Sequence, residues 1–222
     1  MNRVKMLPLV LAASHCAFPQ QSTWFIGGGP GISTLSGDAR SQITPSLTAI
    51  SQYKPENGAL VHLFAGRHWR DYLSTQAVYS TNRNDLALVS TRLVAGAETT
   101  YEQARNSRRH DVAADVLVYF RGRDSFVRPF LGIGLGVMAF SSEATALRVS
   151  KGQPVLPPAS FSATKPGLRA AAGIDLILKK GWGVRYAFLE TIQANPISVR
   201  LDPPGKRGLA HFQNLFGIVK YF

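Results

Sequence analysis

Residues 126–141 sort their side chains strictly by parity: Leu131, Ile133, Leu135, Val137 and Ala139 on one, Gly132, Gly134, Gly136 and Met138 on the other. Only an extended strand sends alternate residues to opposite faces, so this segment has one apolar face and one face of small residues. The pattern recurs three times. In residues 111–121, Val112, Ala114, Val116, Val118 and Phe120 stand opposite Asp111, Ala113, Asp115, Leu117 and Tyr119. Residues 169–178 set Ala170, Ala172, Ile174, Leu176 and Leu178 against Arg169, Ala171, Gly173, Asp175 and Ile177. In residues 182–192, Trp182, Val184, Tyr186 and Phe188 oppose Gly183, Arg185 and Ala187. Weaker candidates at residues 24–35, 59–68, 72–82 and 209–222 bring the count to eight strands. The four clear runs have the length a tilted strand needs to cross a hydrocarbon layer.

The connections alternate as regularly as the strands. Residues 36–57, 83–109, 142–164 and 193–208 are long and polar, whereas Trp69-Arg70-Asp71, Gly122-Arg123-Asp124 and Lys179-Lys180-Gly181 are tight. Such a rhythm describes an up-and-down meander with two unlike rims, the asymmetry of outer-membrane barrels with short periplasmic turns and long external loops.

Which face carries the charge decides the solvent. A soluble lipocalin-type binding barrel turns its apolar residues inward and its polar ones outward. Here one face is uniformly apolar, and the other mixes Gly and Ala with Asp115, Arg169, Asp175 and Arg185. The lumen of an eight-stranded barrel is only wide enough for side chains, so small residues fit there, and charges fit if they neutralise one another. Those four are expected to form a lumenal ion-pair cluster. Hydrocarbon outside the wall requires every backbone donor and acceptor to be paired within it, which forces closure. The chain therefore reads as all-β: a closed eight-stranded antiparallel up-and-down transmembrane β-barrel, with a secreted lipocalin-like barrel as the alternative.

The N-terminus fits export. Arg3 and Lys5 precede an apolar run over residues 6–13 and then small or polar residues to Gln21. That order is the layout of a signal peptide, and the run is too short for a membrane helix. The expected division is a signal peptide at 1–21 and a barrel domain at 22–222. Cys16, the one cysteine of the 222 residues, would leave with the signal, and its neighbour His15 occupies a place where lipid-acceptor sites want a small residue. Loss of Arg3 and Lys5 lowers the net charge from +12 to +10. No basic stripe interleaved with aromatics gathers that charge, which argues against a nucleic-acid partner. Lipid phosphates at the membrane surfaces are the natural counter-ions. The densest basic cluster is Arg105, Arg108 and Arg109, where contact with lipopolysaccharide is expected.

The sequence resembles the small eight-stranded outer-membrane β-barrels of Gram-negative bacteria, the family of outer membrane protein A's barrel and the opacity proteins. The resemblance rests on the signal peptide, the strand from Arg128 to Gly136, the hairpin from Gly173-Ile174-Asp175 to Trp182-Gly183-Val184-Arg185-Tyr186, and the aromatic terminus. It implies a monomer in the outer membrane, contacting lipids and lipopolysaccharide. It also implies insertion by the barrel assembly machinery, which reads a last strand carrying Phe216, Ile218, Tyr221 and Phe222. Lys220 stands third from the end, where the family usually has an aromatic or apolar residue, and is expected to snorkel to the interface.

Outer-membrane barrels include enzymes that cut or transfer lipid acyl chains, so histidines invite a search for a triad. His110, beside Asp111, and His211 fall at the same rim, yet no serine stands at a spacing that argues for one. Gly27, Gly28, Gly29 and Gly31 lack the Lys-Ser/Thr and helix of a phosphate-binding loop. The sequence calls for no catalytic residue, metal or cofactor. It points to a structural or adhesive role through the external loops, with narrow solute conduction as the most the lumen would allow and an acyl-modifying enzyme as the alternative.

Overall fold

The computed structural model describes residues 23–222; the expected signal peptide, with Cys16, lies outside the described residues. Ten strands follow in chain order: β1 (Trp24–Leu35), β2 (Asp38–Thr44), β3 (Leu47–Pro55), β4 (Gly58–Arg70), β5 (Leu73–Val94), β6 (Ala97–Tyr119), β7 (Val127–Lys151), β8 (Ser160–Ile177), β9 (Trp182–Ala194) and β10 (Gly208–Tyr221). Eight of them close into a ring in the order β1, β4, β5, β6, β7, β8, β9, β10, with β10 pairing back onto β1. Every pairing is antiparallel, and the ring leaves no free edge around its circumference.

All eight expected strands are present, but three of the expected loops are largely strand. Residues 36–57 form the β2–β3 hairpin, and β3 takes over the edge of β5 above the point where β4 stops, pairing Leu47–Pro55 with Val94–Leu86. Residues 83–109 extend β5 and β6 without a break except at Ala95 and Gly96, whose φ values of 48° and 83° make the two-residue turn. Strand β7 continues to Lys151, and β8 starts at Ser160. The 22 residues of β5 span roughly 70 Å, far more than a hydrocarbon layer of about 30 Å. Above the lipid neither face must be apolar, so the ladder persists where the hydropathy alternation fades.

The parity of the wall settles the solvent. Leu131, Ile133 and Leu135 are 52%, 67% and 67% exposed and face outward, while Asp175 and Arg185 are 0% and 3% exposed and face inward. Val112, Val116, Val118, Leu168, Val184 and Ile218 also face outward. A lipocalin would have the reverse arrangement, so the soluble alternative is overturned. On the rim of short turns, Trp24, Trp69, Tyr72, Phe120, Phe126, Trp182 and Phe222 all point outward as a girdle of aromatics. Arg67 lies 4.6 Å from the Trp69 ring and 5.4 Å from the Trp24 ring, adding a cation to that girdle.

The interior is filled at two levels. Nearer the turns lie Phe25, Leu60, Phe64, Val78, Leu117, Tyr119, Phe130, Leu215, Val219 and Tyr221. At the opposite end lie Leu35, Tyr53, Leu86, Leu88, Phe140, Phe161, Ile197, Leu201 and Leu209. Glycines make room for this packing: a Cβ at Gly27 or Gly173 would strike the ring of Phe64 or Phe130.

Candidate functional site

From within the turn-side apolar level toward the outer one runs a chain of charged and polar side chains. Asp175 on β8 receives Arg185 of β9 in a forked contact, Nε to Oδ1 at 2.6 Å and Nη2 to Oδ2 at 2.8 Å. Oδ2 also accepts the hydroxyls of Tyr119 at 3.0 Å and Tyr221 at 2.8 Å. Nη2 of Arg185 donates to Tyr119 Oη at 2.9 Å, and the guanidinium carbon lies 4.5 Å from the Phe64 ring and 5.0 Å from that of Phe130. Arg185 Nη1 donates to Gln76 Oε1 at 2.8 Å, and Gln76 Nε2 donates to Asp115 Oδ2 at 3.1 Å. Asp115 in turn accepts Arg169 Nε at 3.0 Å. The four expected residues thus form two ion pairs joined through Gln76. Register explains the space: Gly134 lies between Asp115 and Arg169 in the ladder, and a Cβ there would collide with the Asp115 carboxylate.

A third pair stands above them. Arg109 Nε donates to Asp111 Oδ1 at 2.7 Å, and Ser80 donates to the other oxygen at 3.3 Å. This corrects the expected outer cluster: Arg105 and Arg109, each 1% exposed, point into the lumen, while Arg108 points out. Consecutive β-residues alternate faces, so Arg108 and Arg109 cannot share one. Arg105 is held by acceptors only: Gln103 Oε1 at 2.6 Å, Pro158 O at 2.9 Å, Ser142 Oγ at 2.9 Å, Ser142 O and Ala159 O at 3.1 Å.

The two rim histidines do not meet, because His110 is outside, bonded to Tyr79 Oη at 2.9 Å, and His211 is inside. His211 does meet a serine that sequence spacing gave no hint of: its Nε2 lies 2.7 Å from Ser33 Oγ. Ser33 donates its proton to Asn84 Oδ1 at 3.0 Å, so Oγ accepts from Nε2–H, and Nδ1 faces the amide of Gln213 at 3.2 Å. A serine nucleophile needs the opposite direction, with the histidine accepting the hydroxyl proton and a carboxylate behind it. All four side chains are buried. The pair is a structural hydrogen-bond relay.

The outer mouth is stoppered by the β9–β10 connection, residues 195–207, which turns inward. Asn195, Ile197, Ser198 and Leu201 are buried. Asn195 Nδ2 donates to Tyr53 Oη at 3.0 Å and Ser198 Oγ donates to Asp38 Oδ2 at 3.2 Å. Ser51 and Ser90 donate to Pro203 O and Asp202 O at 2.5 and 3.0 Å, and Arg92 pairs with Asp202 at 2.6 Å.

On the last strand Phe216 and Ile218 face outward, as does Phe222 just after it, while Tyr221 faces the lumen and bonds Asp175. Lys220 stays at the turn rim, its Nζ donating to Lys180 O at 2.7 Å and lying 5.1 Å from the Trp182 ring.

Residues 6–199 match the family model described as outer membrane protein beta-barrel domain. No curated protein matches the sequence. Among solved structures, the neisserial surface protein A is similar at TM-score 0.51 and 13% identity, over 90% of this chain and 97% of that one. The outer membrane protein OprG of Pseudomonas aeruginosa is similar at TM-score 0.50 and 13% identity, over 91% and 97%. Both likenesses concern the fold. With the matched family, the inverted parity and the closed ring together, the chain belongs to the outer membrane protein beta-barrel domain family and resides in the Gram-negative outer membrane.

Proposed function

We propose that the protein is a sealed, non-enzymatic barrel whose working part is the sheet that rises beyond the lipid, serving structural or adhesive contacts at the cell surface. What carries this reading is the contrast between a filled lumen and an oversized outer sheet. Ion pairs, aromatic rings and the inward connection 195–207 occupy the bore. Strands β5, β6 and β7 meanwhile run 22, 23 and 25 residues, about twice what spanning requires. The structural relay at Ser33 and His211 supports the non-enzymatic part.

Lipopolysaccharide is the proposed lipid contact, through Arg108 of the expected cluster and Arg83 in place of Arg105 and Arg109. Arg83 and Arg108 stand directly opposite one another on the outer face, just above the apolar band. Like charges in that position repel unless an anion lies between them, as a lipid phosphate at this level would. Insertion by the barrel assembly machinery through Phe216, Ile218 and Phe222, and a monomeric state, complete the proposal.

Two measurements test it. Planar-bilayer recordings of the purified protein are expected to show no conductance steps above background; regular steps would contradict the sealed bore. Replacing residues 92–99 by a two-residue turn is expected to lower attachment of expressing cells to matrix-coated surfaces several-fold while the barrel still assembles. Unchanged attachment by an assembled variant would count against an adhesive hairpin.

A further inference from the structure

The wall of a barrel is convex toward its surroundings, yet beyond the apolar band the outer face of this one is hollowed. A depression of about 770 Å³ spreads over β5, β6, β7 and β8. The β6–β7 register shifts between Ala104 and Arg105, just above it, and such a bulge bends the strand that carries it. Register sorts the side chains of this face into rungs. Arg83, Arg108, Ser141 and Ser162 are cross-strand neighbours on one, and Asp85, Asn106, Glu143 and Ser160 on the next one out; all eight are exposed. On the membrane side of the arginines, Val61, Thr81 and His110 line a smaller hollow of about 320 Å³ that shares both arginines. The rung below that, Leu63, Tyr79, Val112 and Val137, belongs to the lipid-facing wall.

Two arginines and two carboxylates leave the larger hollow neutral overall, so it is not a bare cationic patch. Its polarity is layered instead. The lower rung offers guanidinium donors, which suit a phosphate, and the upper rung offers carboxylate and amide acceptors, which suit hydroxyls. From the lipid outward the face is therefore apolar, then cationic, then hydroxyl-accepting. A lipid with a phosphoethanolamine headgroup would set one ammonium on the upper rung and leave most of the hollow empty. A phosphorylated sugar carrying acyl chains matches all three levels in order, and the volume is that of a small-molecule site.

We propose that this hollow selects the phosphorylated sugar headgroup of lipopolysaccharide over phospholipid headgroups. Phosphate lies on Arg83 and Arg108, ring hydroxyls on Asp85, Asn106, Glu143 and Ser160, and an acyl chain over Val61 and Leu63. This selectivity rests on the lipopolysaccharide contact proposed above and adds the sugar to it. Delipidated protein in maltoside micelles, mixed with equimolar deep-rough lipopolysaccharide and phosphatidylethanolamine, is read by native mass spectrometry for the lipid it retains. Wild type is expected to retain lipopolysaccharide at least about tenfold better. Asn106→Leu with Ser160→Val, which removes two polar contacts and no charge, is expected to cut that preference at least about fivefold and leave phosphatidylethanolamine retention unchanged. Arg83→Gln with Arg108→Gln is expected to weaken retention of both lipids. All four positions are exposed beyond the lipid, and the unboiled gel mobility of each variant reports whether its barrel has assembled. No preference in wild type, or a preference untouched in the Asn106 and Ser160 variant, would overturn the sugar site while leaving the phosphate contact standing. Lipopolysaccharide retention unchanged in the double arginine variant would overturn that contact, and the sugar site with it.

Discussion

Arg185→Met is expected to lower the unfolding free energy of the barrel by about 3–5 kcal/mol, because it strands Asp175 in the lumen with two tyrosine hydroxyls as its remaining donors. The pair is buried on both sides, with side chains 4% and 0% exposed, so water cannot replace the lost guanidinium. Removing both charges, as Arg185→Met with Asp175→Leu, is expected to recover much of the loss, since no isolated ion remains. Arg92→Ala breaks an ion pair too, but its side chains are 41% and 48% exposed, and the cost is expected below about 1 kcal/mol. Urea unfolding in phospholipid vesicles, followed by tryptophan fluorescence, measures all three. A cost for Arg185→Met as small as for Arg92→Ala would mean that the lumen is wet and the charges solvated.

Ile133→Arg and Ile43→Arg separate lipid from water more sharply than exposure does. The two isoleucines are similarly exposed, 67% and 72%, so a soluble protein would tolerate both changes equally. Ile133 lies within the apolar stretch of β7, whereas Ile43 lies on β2, in the hairpin beyond the ring. Arginine at the first position is expected to cost about 2–4 kcal/mol, as on the lipid face near a bilayer midplane. At the second it is expected to cost less than about 0.5 kcal/mol. The same vesicle unfolding assay reads both. Equal, small effects would remove the membrane from the explanation.

The membrane-facing half of the fold was legible because lipid enforces an uninterrupted rule: each second residue of residues 131–137 or 112–120 must be apolar, and no loop interrupts it. Where that rule lapses, above the lipid, the reading of residues 83–109 as a loop failed. That one misreading hid two lumenal arginines. Arg109 shares parity with Asp111 and Asp115, so extending β6 backward by one period would have placed it inside, and Arg105 after it. Tyr119 lay on the same inward parity and was equally readable as a partner for the lumen charges. His110, one residue before Asp111, must point outward by the same alternation. Gln76 and Ser33 were not legible, since their partners Asp115, Arg185, Asn84 and His211 come from distant strands brought together only by closure of the ring. The inward turn of residues 195–207 leaves no periodic signal at all. Its buried Ser198 and Asn195 reach β2 and β3 through one hydrogen bond each, to Asp38 and Tyr53.

Spin labels placed one at a time at residues 112–118 of β6, in phospholipid vesicles, address the inside-out wall directly. The described residues contain no native cysteine, so each label reports one site. Collision with oxygen, which concentrates in hydrocarbon, is predicted to peak at the even positions 112, 114, 116 and 118 and to fall at 113, 115 and 117. Peaks at the odd positions, or collision with a water-soluble nickel complex at the even ones, would contradict a wall whose greasy side faces lipid.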